Sequence, residues 1–502
     1  MHPAHHARAT PDRPAYVMAE SGRQVSYAEL DRWSCRLAHF WRAQGLAPGD
    51  TIAFLLENHV AYLPLLWSAQ RAGLIYVSIS TGLSGGDVAY IVQDSGARVL
   101  VASARTAALG EEAAAGRSAL RRFTAEELDA LTASLPDTPI PDEMAGEDML
   151  YSSGTTGRPK GIRRPCVPGT PIDTGTPLVA LVESRFGFGP DTRYLSPAPL
   201  YHAAPQRFSM AVQRLGGTVV VMEKFDAERA LGLIERHRIT AAQWVPTHFI
   251  RMLRLPDAVR AGHDLSSLKV AIHAAAPCPV PVKQAMLDWW GPVIHEYYAG
   301  TENNGLTAIG PEEWLAHKGS VGRAMVGELR IVDERGGELP PRAEGLICFA
   351  NGPEFAYHND PEKTAAARTP QGWTTLGDVG WMDEDGYLYL TDRKNFTIIS
   401  GGVNIYPQEI ENWLATHPKV GDVAVIGAPD ADLGERVLAV VEPVDWAEAG
   451  DALAGELIAF AREGLGPVKA PRQVDFLPAL PRQATGKLYK RLLRDRYWPV
   501  AG

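Results

Sequence analysis

The sequence predicts an α/β fold of two doubly wound α/β units in succession, followed by a small antiparallel sheet or barrel and then a mixed α and β tail. Three observations carry that prediction. Short β-branched and apolar runs alternate with amphipathic helical stretches through residues 26–102 and again through 192–309, the pattern of right-handed βαβ units feeding a parallel sheet. Between 319 and 392 the texture changes to short alternating runs broken by turn residues, as in EGLICFA and GYLYLTD. At 502 residues the chain is longer than one core requires, so several domains are expected.

The elements follow in order. Ser26-Tyr27-Ala28-Glu29 reads as a capping box opening a helix that Leu30, Trp33, Leu37 and Trp41 continue and Gly45 ends. The strand TIAFLL follows, then a helical segment from about Val60 to Ala72, the strand IYVSIS, a helix around Asp87 to Gln93, and the strand RVLVA. The Pro-rich LPDTPIPDE, residues 135–143, reads as a connector. In the second unit the strands are GTVVVM, AAQWVP, KVAIHAAA and VIHEYY, and their loops carry the unusual residues. Ligands of open α/β sheets bind beyond the carboxyl ends of strands. The tail offers helices at PQEIENWLATHP and DALAGELIAFAREGL and a strand at DVAVIGA.

Composition narrows the function class. The chain is 45% hydrophobic and 22% charged, as soluble globular proteins are. A net charge of −10 argues against a nucleic-acid surface, although a small polyanion needs only a local cationic site. Cys35, Cys166, Cys278 and Cys348 are too scattered for zinc and too few for a disulfide framework, which fits a reducing cytoplasm. The opening MHPAHHARATPDRP lacks the apolar core of a signal peptide and reads as a solvated tail. No run of about 18 apolar residues occurs, so no membrane span is expected and no membrane is obligatory.

Residues 150–161 read LYSSGTTGRPKG. They fail the phosphate-loop pattern of the NTPases, because Gly154 and Gly157 stand too close and Gly161 occupies the place of the magnesium-binding hydroxyl. Hydroxyls, a few amides and a mobile lysine around a polyphosphate are one reading; a polar turn is the other. Three further blocks share the chain with this loop: Tyr298-Ala299-Gly300-Thr301-Glu302, Gly377-Asp378 with Asp392-Arg393, and Pro481-Arg482-Gln483-Ala484-Thr485-Gly486-Lys487.

In that order and at those spacings the four blocks resemble the adenylate-forming superfamily of acyl-CoA synthetases, firefly luciferases and peptide-synthetase adenylation domains, over nearly the whole chain. The resemblance implies a large N-terminal domain, residues 1–394, of two doubly wound α/β subdomains plus a small distorted β-barrel. A small mobile α+β C-terminal domain, residues 395–502, would follow. It implies an acid:CoA ligase that makes an acyl-adenylate and pyrophosphate, then acyl-CoA and AMP, with Mg²⁺ as cofactor and ATP and CoA as co-substrates.

By the same resemblance, Ser152, Ser153, Gly154, Thr155, Thr156, Gly157 and Lys160 would hold the phosphates, and Glu302 and Thr156 the Mg²⁺. Tyr298 would stack on adenine, with Ala274, Ala275, Ala276 and Pro277 as the wall of its slot. Thr301 would also bind the nucleotide, Asp378 would accept the ribose hydroxyls, and Arg393 would add donors to the same sugar or the phosphates. Many relatives carry glycine at Ala274, Ala275 and Ala299, where this chain adds methyl groups near the nucleotide. Lys487 would bridge the carboxylate and the α-phosphate, and Asn395 would be the hinge. Ser400, Gly401 and Gly402 would form the CoA tunnel. His202, Ala203, Phe208, Trp244, Val245, Ala274 and Gly300 would line the acyl pocket, His202 near the carboxylate. The expected substrate is a hydrophobic carboxylic acid, bulky cyclic, aryl or fatty. Trp244 is large enough to shorten that pocket, which puts a bulky cyclic, aryl or medium-length acid at least level with a long straight fatty one. The alternatives are a free-standing adenylation enzyme loading a carrier protein and a nucleotide-binding relative without catalysis. The expected partners are a small carboxylic acid, ATP and CoA, with the chain a monomer or homodimer.

Overall fold

A computed structural model describes residues 1–152, 159–164, 166–393, 396–401, 403–482 and 488–498, with the backbone alone at 392, 393, 404 and 491. The chain divides into two compact units, one of Met1–Trp244, Leu255–Ile272 and Phe355–Glu362, the other of Val245–Arg254, His273–Glu354 and Lys363–Gly502.

The first unit contains two α/β sheets. In one, the strands run in the order Ala356–Tyr357, Lys160–Arg163, Glu147–Ser152, Ile75–Ser78, Thr51–Leu55, Ala97–Ala102, Arg121–Thr124. Every residue of Thr51–Leu55 is buried, as a central parallel strand covered on both faces requires. Its neighbours Ile75–Ser78 and Ala97–Ala102 pair with it in parallel. The other sheet orders Val270–His273, Ala241–Trp244, Arg193–Ser196, Thr218–Val221, Pro14–Met18 and Gln24–Ser26. Thr218–Val221, Ala241–Trp244 and Val270–His273 fall on the expected apolar runs, whereas Pro14–Met18, Gln24–Ser26 and Arg193–Ser196 were not among the expected strands.

Helix starts follow local chemistry. Ser26 Oγ accepts the Glu29 N–H at 3.2 Å and opens Tyr27–Ala43, while the Glu29 carboxylate turns to Arg23 instead of completing the expected capping box. Gly45 ends that helix at φ +77°, a left-handed value that glycine adopts freely. The expected helices near 60–72 and 87–93 are Tyr62–Arg71 and Gly85–Asp94.

The N-terminus departs from the solvated tail expected of it. Pro3–Ala9 is helical, and His2 is 1% exposed, its ring 5.0 Å from and edge-on to that of Trp67. The His2 amide donates to Asp173 Oδ1 at 2.8 Å, and His6 Nε2 lies 2.9 Å from the Arg214 carbonyl. Burial pushes both imidazoles down in pKa, so they pack as neutral rings. An imidazole with an aromatic neighbour is worth more inside than a tail composition suggests.

In the second unit Ile294–Tyr298, Leu306–Ile309 and Arg323–Val326 pair antiparallel in sequence. The region read as a small antiparallel sheet or barrel forms the antiparallel order Glu328–Val332, Gly345–Ala350, Thr374–Met382, Leu388–Arg393. The tail builds a sheet ordered Val403–Ile405, Ile398–Ser400, Gly434–Pro443, Val420–Asp430, with Gln473–Phe476 parallel to Gly434–Pro443. Among the described residues no helix is long and apolar enough to cross a membrane.

Candidate active site

In the first unit, Glu147–Ser152 delivers the glycine-hydroxyl loop and Lys160–Arg163 returns from it, with Ser152 opposite Lys160 in register. The stems of the loop are fixed. Tyr151 donates its hydroxyl to Asp94 Oδ2 at 2.6 Å, and the His358 amide donates to the Gly161 carbonyl at 2.7 Å. A Cβ on Gly161 would sit 2.9 Å from Tyr151 Cζ, so this position takes glycine because the phenol crosses it. The Lys160 ammonium lies 5.1 Å from the centroid of the Tyr357 ring. Ser153, Gly154, Thr155, Thr156 and Gly157 lie outside the described residues.

His202 and Ala203 stand at the start of the helix Ala203–Arg214, with His202 as its N-cap and its ring 4.5 Å from that of Tyr201. Phe208, farther along, is buried and stacks on Tyr194 at 6.4 Å between centroids. Trp244, 1% exposed, ends the strand Ala241–Trp244.

In the second unit, Val245 caps the helix Pro246–Leu253. Ala274, Ala275, Ala276 and Pro277 leave the end of Val270–His273, and Ala275 bends the chain there at φ +76°. Tyr298 ends the strand Ile294–Tyr298 and donates its hydroxyl to Asp378 Oδ2 at 2.7 Å. These two residues, 80 apart in sequence, are thus brought into direct contact. Asp378 is buried and follows Gly377, whose φ of +81° bends the chain just ahead of the carboxylate.

Gly300, Thr301 and Glu302 form a tight turn, closed by the Asn303 amide on the Gly300 carbonyl at 3.1 Å. A Cβ on Gly300 would collide with Leu376 and lie 2.7 Å from Glu302 Oε2, so the carboxylate folds back over a position that must be bare. Asn304, buried, donates to Thr374 Oγ1 at 3.2 Å, and a Cβ on Gly305 would run into the Phe349 ring. The sequence reading passed over Asn304, Phe349 and Leu376, which buttress this turn. The Asn-Asn-Gly run after Glu302 is the turn signal that points to them.

Ser400 and Gly401 turn between Ile398–Ser400 and Val403–Ile405, and Gly401, at φ +58°, donates its amide to the Leu433 carbonyl at 2.9 Å. Asn395, Gly402 and Lys487 lie outside the described residues, as does the side chain of Arg393, whose backbone pairs with Asp378.

The donor set bears on the metal. Among the described residues no cluster of three or more His, Cys, Asp or Glu side chains is placed to hold an ion. One carboxylate in a turn suits Mg²⁺ that arrives on a polyphosphate, since that ion keeps waters and takes one or two carboxylates beside phosphate oxygens.

Comparison with known proteins gives consistent results. Residues 3–356 match the AMP-binding enzyme family and residues 409–487 the AMP-binding enzyme C-terminal domain. A feruloyl-CoA synthase of Amycolatopsis sp is 36% identical over 505 residues, covering 99% of this chain and 98% of the relative. A fatty acid-[acyl-carrier-protein] ligase, ScoC, of Streptomyces coeruleorubidus is 32% identical, covering 98% of this chain and 95% of the relative. The structure of o-succinylbenzoate CoA synthetase from Bacillus subtilis with the acyl-adenylate OSB-AMP matches with a TM-score of 0.81 at 27% identity, covering 98% of this chain and 97% of that one.

Proposed function

The chain belongs to the AMP-binding enzymes, and from that premise we propose that it joins a bulky, ring-bearing carboxylic acid to CoA through an acyl-adenylate. It is an AMP-forming acyl-CoA synthetase; the choice of acid and the roles of single residues are the proposal. The observation that carries it is the end-to-end similarity to a feruloyl-CoA synthase, together with a buried Trp244 at the end of its strand.

A carboxylate and a triphosphate repel each other, so the residues act by neutralising charge and fixing geometry. Ser152, Ser153, Gly154, Thr155, Thr156, Gly157 and Lys160 hold the phosphates. Glu302 and Thr156 would hold Mg²⁺, which would supply positive charge at the phosphate oxygens. Tyr298 stacks on adenine against Ala275, Ala276 and Pro277, beside Thr301, while Asp378, already oriented by the Tyr298 hydroxyl, accepts the ribose hydroxyls with Arg393 alongside. His202, Ala203, Phe208, Trp244, Val245, Ala274 and Gly300 receive the acyl group. Lys487 bridges the carboxylate and the α-phosphate. The 395–502 segment, turning at Asn395, then gives way to CoA along Ser400, Gly401 and Gly402. Four cysteines, none in a disulfide, suit work in a reducing cytoplasm.

A second reading, loading of a carrier protein, is favoured by the similarity to ScoC. One experiment addresses both. Pyrophosphate and AMP release are followed over a panel of acids, with CoA or a phosphopantetheinyl carrier as acceptor. The proposal expects pyrophosphate with cinnamate-like or other ring-bearing acids and AMP release dependent on CoA. A marked preference for palmitate overturns the choice of acid, and turnover with the carrier alone overturns the choice of acceptor.

A further inference from the structure

The strand that ends at Ser152 and the helix that begins after His202 are joined by a buried ion pair. Arg207 Nε donates to Asp148 Oδ2 at 2.6 Å and its Nη2 to Oδ1 at 3.1 Å, with side chains only 19% and 6% exposed. Asp148 lies in Glu147–Ser152, four residues before Ser152; Arg207 lies in the second turn of Ala203–Arg214. One residue before it, Gln206, fully buried, accepts the Ser78 hydroxyl at 2.6 Å from the end of Ile75–Ser78, the strand that pairs in parallel with Glu147–Ser152. The start of the helix is therefore fixed to two adjacent strands by consecutive side chains.

We propose that Arg207 is a positioning residue for adenylate formation: its fork on Asp148 holds the helix start bearing His202 and Ala203 in register with the strand delivering Ser152. The proposal rests on the reading of those residues given above. Two parallel N–H···O bonds fix rotation as well as distance, which a lysine point charge does not. Stability alone gives a poor account of the pair. A buried ion pair contributes little net stability over an apolar pair of similar volume, because desolvation offsets the attraction. Burial acts to push the Asp148 carboxyl up and is outweighed by the guanidinium, so the carboxylate stays charged and the fork stays closed.

The test compares the unaltered enzyme with Arg207→Lys and with the apolar pair Asp148→Leu plus Arg207→Met. Three readouts are taken: melting temperature, ATP–pyrophosphate exchange at saturating acid and ATP, and conversion of supplied acyl-adenylate to thioester with CoA. Exchange brings the acid and the triphosphate together, whereas the supplied adenylate has them already joined. The apolar pair is expected to lower exchange roughly 10- to 100-fold, while thioester formation stays within about threefold of the unaltered enzyme. Arg207→Lys, which keeps the charge, tests the fork even if the apolar pair does not fold, and a selective, smaller loss of exchange is expected. An equal fall in both half-reactions marks a purely structural pair and overturns the proposal, as does a lysine variant with unaltered exchange. If the unaltered enzyme releases no pyrophosphate with any acid, the acid-activating reading and this one fall together. If it does and the variants match it, only the positioning role falls.

Discussion

Ala275 holds a φ of +76° at the bend after Val270–His273, and it is exposed, so its methyl buries little apolar area in return. The left-handed region costs an L-residue about 1–2 kcal/mol, and glycine gives back part of that gain through the freedom of its unfolded chain. Ala275→Gly is therefore expected to stabilise the protein by about 0.5–1 kcal/mol in urea unfolding; no change, or a loss, removes strain from the account. The sequence marked Ala274, Ala275 and Ala299 alike, as positions where relatives carry glycine. Only the backbone separates them, because among these three Ala275 alone has a positive φ. Residue identity shows that a methyl is present but not which dihedral it must tolerate.

The strand leading to Tyr298 is anchored by another buried charge. Lys283, on the helix Val280–Trp290, donates to Glu296 Oε2 at 2.6 Å, its ammonium 4.8 Å from the centroid of the Trp314 ring. His273 Nε2 lies 3.4 Å from the same carboxylate. Burial pushes the Glu296 carboxyl up and Lys283 opposes it. Lys283→Met leaves a buried carboxylate without its cation, at a cost of about 3–5 kcal/mol near pH 8. A carboxyl whose folded pKa lies above its unfolded value contributes stability that is full below the unfolded pKa and is lost as pH rises through the folded one. The deficit of Lys283→Met should accordingly shrink as pH is lowered from 8 toward 5, and Glu296→Gln added to it should recover much of the loss. His273 is held neutral by burial and by the Lys283 charge. Lys283→Met removes the second, so the imidazole becomes easier to protonate beside Glu296 as pH falls, which shrinks the deficit in the same direction. A deficit constant with pH would show that Lys283 acts by packing alone. At this scale the elements themselves were legible, since the apolar runs at 51–55, 75–78 and 294–298 are strands where periodicity put them. Lys283 was not legible, and neither was the Asp148–Arg207 pair. A lysine in a helix is ordinarily solvated, and its burial depends on a partner from another element that no local pattern announces.

Across the whole molecule, the tail past the proposed hinge carries a core of its own. Ile398, Ile410, Leu414, Val423, Val425, Val437, Val441 and Leu457 gather on one face of its sheet. Ala424, Ile426, Leu438, Val440, Leu480 and Leu493 gather on the other, the period of two along 423–426 assigning each residue to its side. Among the described residues, all buried members of both clusters fall between 398 and 493. About a hundred residues with two covered sheet faces suffice to fold alone. The segment 395–502, produced by itself, is therefore expected to melt in one cooperative transition, with an enthalpy of about 60–80 kcal/mol by calorimetry. The expectation matters for function because Lys487 belongs to this segment, whereas Glu302 and Asp378 do not. In the proposed reading Lys487 travels to and from the phosphates, and a body stable on its own would carry it without unfolding. A broad, non-cooperative melt would mean that the segment needs the rest of the chain for its structure, and the boundary at 394–395 would then have to move.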